Sequence, residues 1–258
     1  MGKIIAVANQ KGGVGKTTSV INICSCLAEM GKKVLLVDLD PQGNATGGCG
    51  IAKKSVSNSV YEAIADASTA KNCIINTGIK NLYVMPSSMR LAGAEIELVD
   101  MPHREGCLKA ALKTVCGAFD FVFIDCPPSL ALLTLNALCC ADTVLIPIQC
   151  EYFALEGLSQ LTNTIKLVKK NYNPALEIEG VLLTMYDGRL NLSIQSAEEI
   201  KRFFSDKLYK TAIPRNVRLS EAPSHGLPVN LYDRYCKGTE AYMEVAKEFL
   251  RRNGVRVR

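Results

Sequence analysis

Two lysines, two threonines and three glycines fall within ten residues near the start of the chain, Asn9-Gln10-Lys11-Gly12-Gly13-Val14-Gly15-Lys16-Thr17-Thr18. Such a run can hold phosphate. Its glycines let the backbone wrap an anion with N–H groups, and a helix starting behind it adds the positive end of its dipole. Lys16 can then reach the β- and γ-phosphates of a nucleotide, and the Thr17 hydroxyl can ligate Mg²⁺. Gly12, Gly13, Val14, Gly15 and Thr18 complete the expected cradle. The usual spacing, G-x-x-x-x-G-K-[ST], begins with glycine; here that place is Gln10, and an extra lysine, Lys11, stands at the mouth of the loop.

Two aspartates follow four-residue apolar runs. Val34-Leu35-Leu36-Val37 leads to Asp38-Leu39-Asp40, and Phe121-Val122-Phe123-Ile124 leads to Asp125-Cys126-Pro127-Pro128. An aspartate closing a buried strand is a weak signal alone, because it also caps helices. Beside a phosphate loop it becomes the layout that holds Mg²⁺ directly or through water.

The elements that must position these residues alternate along the chain. Apolar runs at residues 4–8, 34–37, 82–85, 121–124, 143–148, 178–184 and 208–212 predict strands. They are apolar throughout, as strands covered on both faces are. Helical periodicity marks residues 16–30, 105–116, 130–140, 155–170, 192–204 and 239–252. This alternation predicts an α/β fold, a doubly wound and mainly parallel sheet with helices on both faces, of the P-loop NTPase type. Ligands of such sheets bind at the carboxyl ends of the strands, where the phosphate loop and both aspartates fall. No Pro- or Gly-rich linker and no repeat interrupts residues 1–258, so one domain is expected.

A length of 258 residues with 48% hydrophobic side chains supports a sizeable core and excludes a disordered chain. No run reaches the length needed to span a bilayer. The opening Met1-Gly2-Lys3 runs straight into a strand-like segment too short for an export signal, and the eleven cysteines lie mostly inside apolar runs. Buried structural thiols in a reducing cytosol are the expectation. The net charge of +5 is unevenly placed: residues 1–186 hold 16 basic and 16 acidic side chains, and residues 187–258 hold 14 and 9. An excess confined to one end suggests a surface facing a polyanion, with a solvated helix face as the plainer alternative.

The Lys-Gly-Gly-x-Gly-Lys-Thr loop resembles that of the deviant Walker A ATPases, which include the ParA/Soj partition proteins, MinD and nitrogenase iron protein. Asn9-Gln10 ahead of Lys11, the segments 38–46, 125–130 and 149–160 (QCEYFALEGLSQ), and the late run Ile213-Pro214-Arg215-Asn216-Val217-Arg218-Leu219-Ser220-Glu221-Ala222-Pro223-Ser224-His225-Gly226 favour the ParA/Soj branch. The resemblance extends from Lys3 to about Leu250. It implies ATP and Mg²⁺ as cofactors and a dimer with ATP sandwiched between subunits, in which Lys11 crosses to the partner's nucleotide. It assigns Asp40 to a first switch that orients the attacking water, Asp38 to support of the metal shell, and Asp125 with Pro127 to a second switch. Pro214 and Asn216 become candidate adenine contacts. With the loop starting at residue 11 there is no room for the N-terminal helix-turn-helix domain of larger plasmid relatives, so the short form is implied.

The same resemblance implies nonspecific double-stranded DNA binding by the ATP-bound dimer through Arg189 and Arg218, with Arg215, Lys201, Arg202 and Lys210 as weaker candidates. It implies slow hydrolysis stimulated by a ParB/Spo0J-like partner, in a cytoplasmic, nucleoid-associated protein serving chromosome or plasmid segregation. The alternative is a MinD-like ATPase cycling on a membrane. Against it, Tyr242, Val245, Ala246, Phe249 and Leu250 have the spacing of a helix packed on its own core. The tail at residues 251–258 has four arginines but only two valines to insert into lipid. An iron–sulfur reductase would need cysteines at a dimer face, where only Cys126 is suggestive, and a regulatory module without hydrolysis sits poorly with Lys16, Thr17, Asp40 and Asp125 together.

Overall fold

The computed structural model describes residues 2–151 and 154–256, so Tyr152 and Phe153 of the segment 149–160, with Met1, Val257 and Arg258, lie outside the described residues. Six apolar runs form parallel strands: β1 (Lys3–Val7), β2 (Val34–Asp38), β4 (Leu82–Met85), β5 (Phe121–Asp125), β6 (Thr143–Gln149) and β7 (Glu177–Thr184). A two-residue strand, β3 (Ile75–Asn76), pairs antiparallel with β4 at one edge. The order across the sheet is β3-β4-β2-β5-β1-β6-β7. The phosphate-loop strand β1 is therefore central, flanked by β5 and β6, and β5 is flanked by β2.

Side chains alternate between the two faces, and each face has its own core. Ile5, Val7, Leu36, Phe123 and Leu145 pack beneath α1 (Lys16–Glu29), α2 (Asn44–Gly48), α9 (Val217–Glu221), α10 (Val229–Tyr232) and α11 (Lys237–Arg252). Ile4, Ala6, Leu35, Ile124 and Ile146 pack beneath α3 (Val60–Ala65), α4 (Leu91–Glu97), α5 (Cys107–Lys113), α6 (Leu132–Cys140), α7 (Ala154–Asn171) and α8 (Asn191–Phe203). Both faces are covered, which is why the strands are continuous in apolar residues.

One expected strand is absent. Residues 208–212 make only a single bridge to β7, Leu208 with Val181, and no ladder follows. The Tyr209 N–H bonds the Val181 carbonyl at 2.9 Å, but the next bond to β7 comes from the Ile213 N–H to the Leu183 carbonyl at 2.8 Å. Four residues thus span two of β7 and the register is lost, while the Lys210 N–H goes to the Glu248 carboxylate of α11 at 3.0 and 3.1 Å. The Tyr209 ring meanwhile occupies the space over Gly180, where a methyl group would lie 2.5 Å from its Cε2 atom. The helix expected at 105–116 is shortened to Cys107–Lys113 and bracketed by 3₁₀ turns at Arg104–Gly106 and Cys116–Ala118.

The stripe Tyr242, Val245, Ala246, Phe249 and Leu250 on α11 is buried in the core. Phe249 meets Phe121 edge-on at 5.0 Å and Phe123 at 5.3 Å between ring centres. Val255 of the tail folds back, its N–H on the Leu250 carbonyl at 2.9 Å and its side chain against the same cluster. Among the described residues no helix is long and apolar enough to cross a membrane. Phe249→Ala removes an aromatic side chain shared with two others and is expected to cost about 3–5 kcal/mol. A shift of the urea midpoint corresponding to less than about 1 kcal/mol would contradict this account of α11.

Candidate functional site

The loop between β1 and α1 ends in Gly15, whose φ of 81° puts it in the left-handed region. No side chain caps α1, so the amides of its first turn are left without a capping side chain and point at whatever occupies the loop. The Thr184 hydroxyl at the end of β7 donates to the Val14 carbonyl at 2.8 Å and fastens the loop to the sheet. Asn9, itself buried, accepts the Lys11 N–H at 3.0 Å and donates to the Pro147 carbonyl at 2.8 Å. Lys16 is buried beneath the loop with Nζ on the Lys11 carbonyl at 3.0 Å. Burial lowers its affinity for a proton, and the nearby Asp125 carboxyl works against that. The Lys11 ammonium is paired with Glu151 beyond β6.

Behind the loop, Asp38 and Asp125 sit directly opposite each other in the registers of β2 and β5, and neither is exposed. Thr17 donates its hydroxyl to Asp125 Oδ2 at 2.8 Å, while Asp125 Oδ1 is buried without a partner. Burial pushes the Asp125 carboxyl well up, and the neighbouring Asp38 adds to it. Asp38 is raised to about 6 by burial, against the opposing pull of the Thr46 N–H and hydroxyl, both 2.7 Å from Oδ2. Its other oxygen takes the Asp40 N–H at 3.3 Å. Asp38 thus organises the loop that carries Asp40, a supporting place rather than an open one. Asp40 is only half-buried and turns its loop with a 2.9 Å bond from the Gln42 N–H.

The loop and the Asp40 segment line one side of a cleft of about 780 Å³, with Gly12, Gly13, Gly15, Lys16, Thr17, Thr18, Asp40 and Pro128 on its walls, while Asp38 and Asp125 lie buried behind them. Pro214, Arg215 and Asn216 line the other side. Asn216 caps α9 by accepting the Arg218 N–H at 2.9 Å, which leaves its amide NH₂ for a ligand. Val14 is buried and offers the cleft no side chain. Sequence reasoning missed Thr184, Met185 and Tyr242, which also line the cleft. Thr184 could have been found as the carboxyl end of a strand; nothing in the sequence marks Met185, whose φ is +49°. Arg189 and Arg218 stand outside the cleft lining. Arg189 is exposed and grips Asp187 with Nε and Nη2 at 2.9 and 2.7 Å, holding that carboxyl at about 2. Arg218 pairs with Glu221 at 2.8 Å and Asp233 at 3.2 Å.

The donor set fits a magnesium–nucleotide. An unpartnered buried carboxylate oxygen lies beside a threonine hydroxyl, a lysine and an uncapped helix end. Among the described residues no group of three or more His, Cys, Asp or Glu could hold a metal. The Thr17 hydroxyl and the Asp125 carboxylate are the kind of oxygen donors that Mg²⁺ takes from a protein, with phosphate and water completing its shell.

Known proteins agree with this geometry. A family profile described as an AAA domain matches residues 2–178. The sporulation initiation inhibitor protein Soj of Bacillus subtilis is 60% identical over 96% of this chain and 98% of its own length. The chain belongs to the Soj/ParA family of chromosome-partitioning proteins. Within it, the chromosome-partitioning ATPase Soj of Treponema pallidum is 49% identical over 99% of this chain and all of its own. A solved structure of cobyrinic acid a,c-diamide synthase from Mycobacterium smegmatis with bound ADP and magnesium superposes with a TM-score of 0.86 at 38% identity, covering 98% of this chain and 96% of that one.

Because the folded protein holds the Asp38 proton more tightly than the unfolded chain does, burial of this group costs stability as pH rises. The cost is absent below about 4, grows toward about 6 and is complete above it. In nucleotide-free protein Asp38→Asn is expected to raise the melting temperature by about 3 °C at pH 7.5 and by less at pH 4.5. Calorimetry at the two pH values checks this; an equal or smaller gain at pH 7.5 would refute it.

Proposed function

We propose that this chain is a partition ATPase in which Mg·ATP drives sandwich dimerisation and nonspecific binding to double-stranded DNA, and in which hydrolysis releases it. The observation that carries the reading is the convergence of the phosphate loop, Thr17 and Asp40 in one cleft, with Asp125 buried directly behind it on the Thr17 hydroxyl. Lys16 and the loop amides hold the phosphates. Thr17 and the free oxygen of Asp125 hold Mg²⁺, which neutralises charge developing on the transferred phosphoryl group. Asp40 orients the attacking water, with Asp38 and Thr46 fixing its loop. Pro214 and Asn216 take the base. Lys11, at the rim, serves the nucleotide of a second copy. No strong general base stands beside the phosphates, so hydrolysis is slow until a ParB/Spo0J-like partner completes the site. The chain acts as one domain, in the cytoplasm and on the nucleoid.

Arg189 and Arg218 supply the DNA contacts. Their ion pairs are exposed and screened by water, so a phosphate displaces the carboxylate at small cost. Arg215 lies on the cleft wall, which supports a place nearer the nucleotide than the DNA. Phosphate contacts give affinity without sequence readout, and that affinity falls steeply with salt. The MinD-like membrane reading has less support, because the apolar face of α11 is spent on the core.

The decisive measurement is DNA retention with ATP, with ADP and without nucleotide. Wild type is expected to be retained only with ATP and to lose at least about tenfold of its affinity between 50 and 200 mM salt. Lys16→Ala is expected to abolish retention, Asp40→Ala to prolong it, and Arg189→Glu with Arg218→Glu to remove it while ATP still binds. Retention that ignores nucleotide, or full retention by the double arginine variant, sinks the reading. Flotation on liposomes with ATP in place of retention on DNA would favour the membrane alternative.

A further inference from the structure

Two short helical elements that serve different ends of the cleft meet through bare backbone. One is α2, which continues from the Asp40 loop and carries Thr46, the residue bonded to Asp38. It ends through Gly47, Gly48 and Gly50, with the Gly50 N–H on the Gly47 carbonyl at 3.0 Å. The other is the 3₁₀ turn Ala222–His225, which continues from α9 and closes at Gly226, whose N–H bonds the Pro223 carbonyl at 3.1 Å. Both closing glycines are left-handed, with φ of +80° at Gly50 and +64° at Gly226. They face each other with no space for a side chain. A methyl group on Gly226 would lie 3.1 Å from Gly50 Cα and 3.4 Å from the Gly47 carbonyl oxygen, and one on Gly50 would lie 3.0 Å from the Gly226 carbonyl oxygen.

Each side of this contact leads to a charged group. On the α2 side, Thr46 joins Asp38 to the Ser87 N–H, which bonds the Thr46 hydroxyl at 3.0 Å, so a shift of the Asp40 loop has a rigid path into α2. On the other side, Arg218 is fixed by Glu221 and Asp233, Glu221 by the Tyr232 hydroxyl at 3.2 Å, and Tyr232 by stacking on His225 at 4.9 Å. His225 is the residue before Gly226. Side chains at a contact can absorb a displacement by changing rotamer; two backbones in contact cannot.

We propose that the Gly50–Gly226 contact is the joint through which the state of the Asp40 loop sets the position of Arg218. The proposal rests on the reading of Asp40 as the residue that orients the water attacking the γ-phosphate and of Arg218 as a DNA contact. It assigns the two glycines as positioning residues that touch neither nucleotide nor DNA. The segment 214–223 also lines the base end of the cleft, so ADP reaches it directly. The joint must therefore carry the part of the response that depends on the γ-phosphate, which is the difference between ADP and a non-hydrolysable ATP analogue.

Amide hydrogen exchange on the full chain, with Mg·ADP and with Mg·AMPPNP, reads that difference. In wild type, residues 44–50 and 217–226 are expected to change together on going from the first nucleotide to the second. In Gly226→Ala the change at 44–50 is expected to persist and that at 217–226 to disappear. ATP-dependent DNA retention should fall about tenfold while AMPPNP affinity stays within about twofold. A wild-type response at 44–50 with none at 217–226 overturns the joint without any variant, so a misfolded Gly226→Ala does not protect it. An unchanged response at 217–226 in a folded Gly226→Ala overturns it as well. Wild-type protein whose two segments respond together but which never retains DNA upholds the joint and instead removes the DNA reading.

Discussion

Asp38 and Asp125 sit side by side at the ends of neighbouring strands, both sealed from water; burial raises the proton affinity of each, and Asp38 raises that of Asp125 further. Two buried like charges are costly unless something positive joins them or one is neutralised. In this chain Asp38 is satisfied by three donors from residues 40 and 46, whereas Asp125 keeps one oxygen with no partner at all. The asymmetry matters. It makes one carboxylate the organiser of a loop and leaves the other as an unsatisfied acceptor beside Thr17. The proposed cation at Asp125 would satisfy that oxygen, and the pairing of Asp38 with Asp125 in the sheet register sets the Asp40 loop next to it.

Much of this was legible in the sequence, because the responsible features are local. A phosphate loop requires glycines, a lysine and a threonine in fixed order, and all of them are contiguous. A strand buried on both faces declares itself as an apolar run, and Asp38 and Asp125 each close one. What could not be read is whatever depends on a distant element. The run at 208–212 has the composition of a strand, and it fails because the chain spends four residues, Tyr209 to Ile213, where β7 spends two, Val181 to Leu183. The two-residue strand at Ile75–Asn76 is too short to leave a period. Met185, just past the end of β7, and Tyr242 of α11 reach the cleft from two places that only the finished fold brings together.

The cysteines follow the same logic. None of the eleven is paired with another, and nine are buried. Burial raises the thiols of Cys24, Cys126 and Cys140 far from the range in which they ionise. Cys126, next to Asp125, is held neutral first by burial and then by that carboxylate. These residues behave as small apolar side chains, and their number reflects core packing rather than redox or metal chemistry.

The basic excess after residue 186 is also more constrained than its count suggests. Arg189, Arg218, Arg234 and Arg252 each already hold a carboxylate, so these four are paired charges rather than free ones. Arg252 also stacks on the Tyr209 ring at 4.2 Å and donates to the Leu208 carbonyl, so its task is to hold α11 against the segment beside β7. The exposed pairs are different, because a polyanion can compete for them at little cost. A surface of this kind binds weakly until several arginines are presented to one polyanion at once. The proposed pairing of two copies would double the number of such arginines, and the steep dependence of polyanion affinity on the number of phosphates contacted would turn that doubling into a switch.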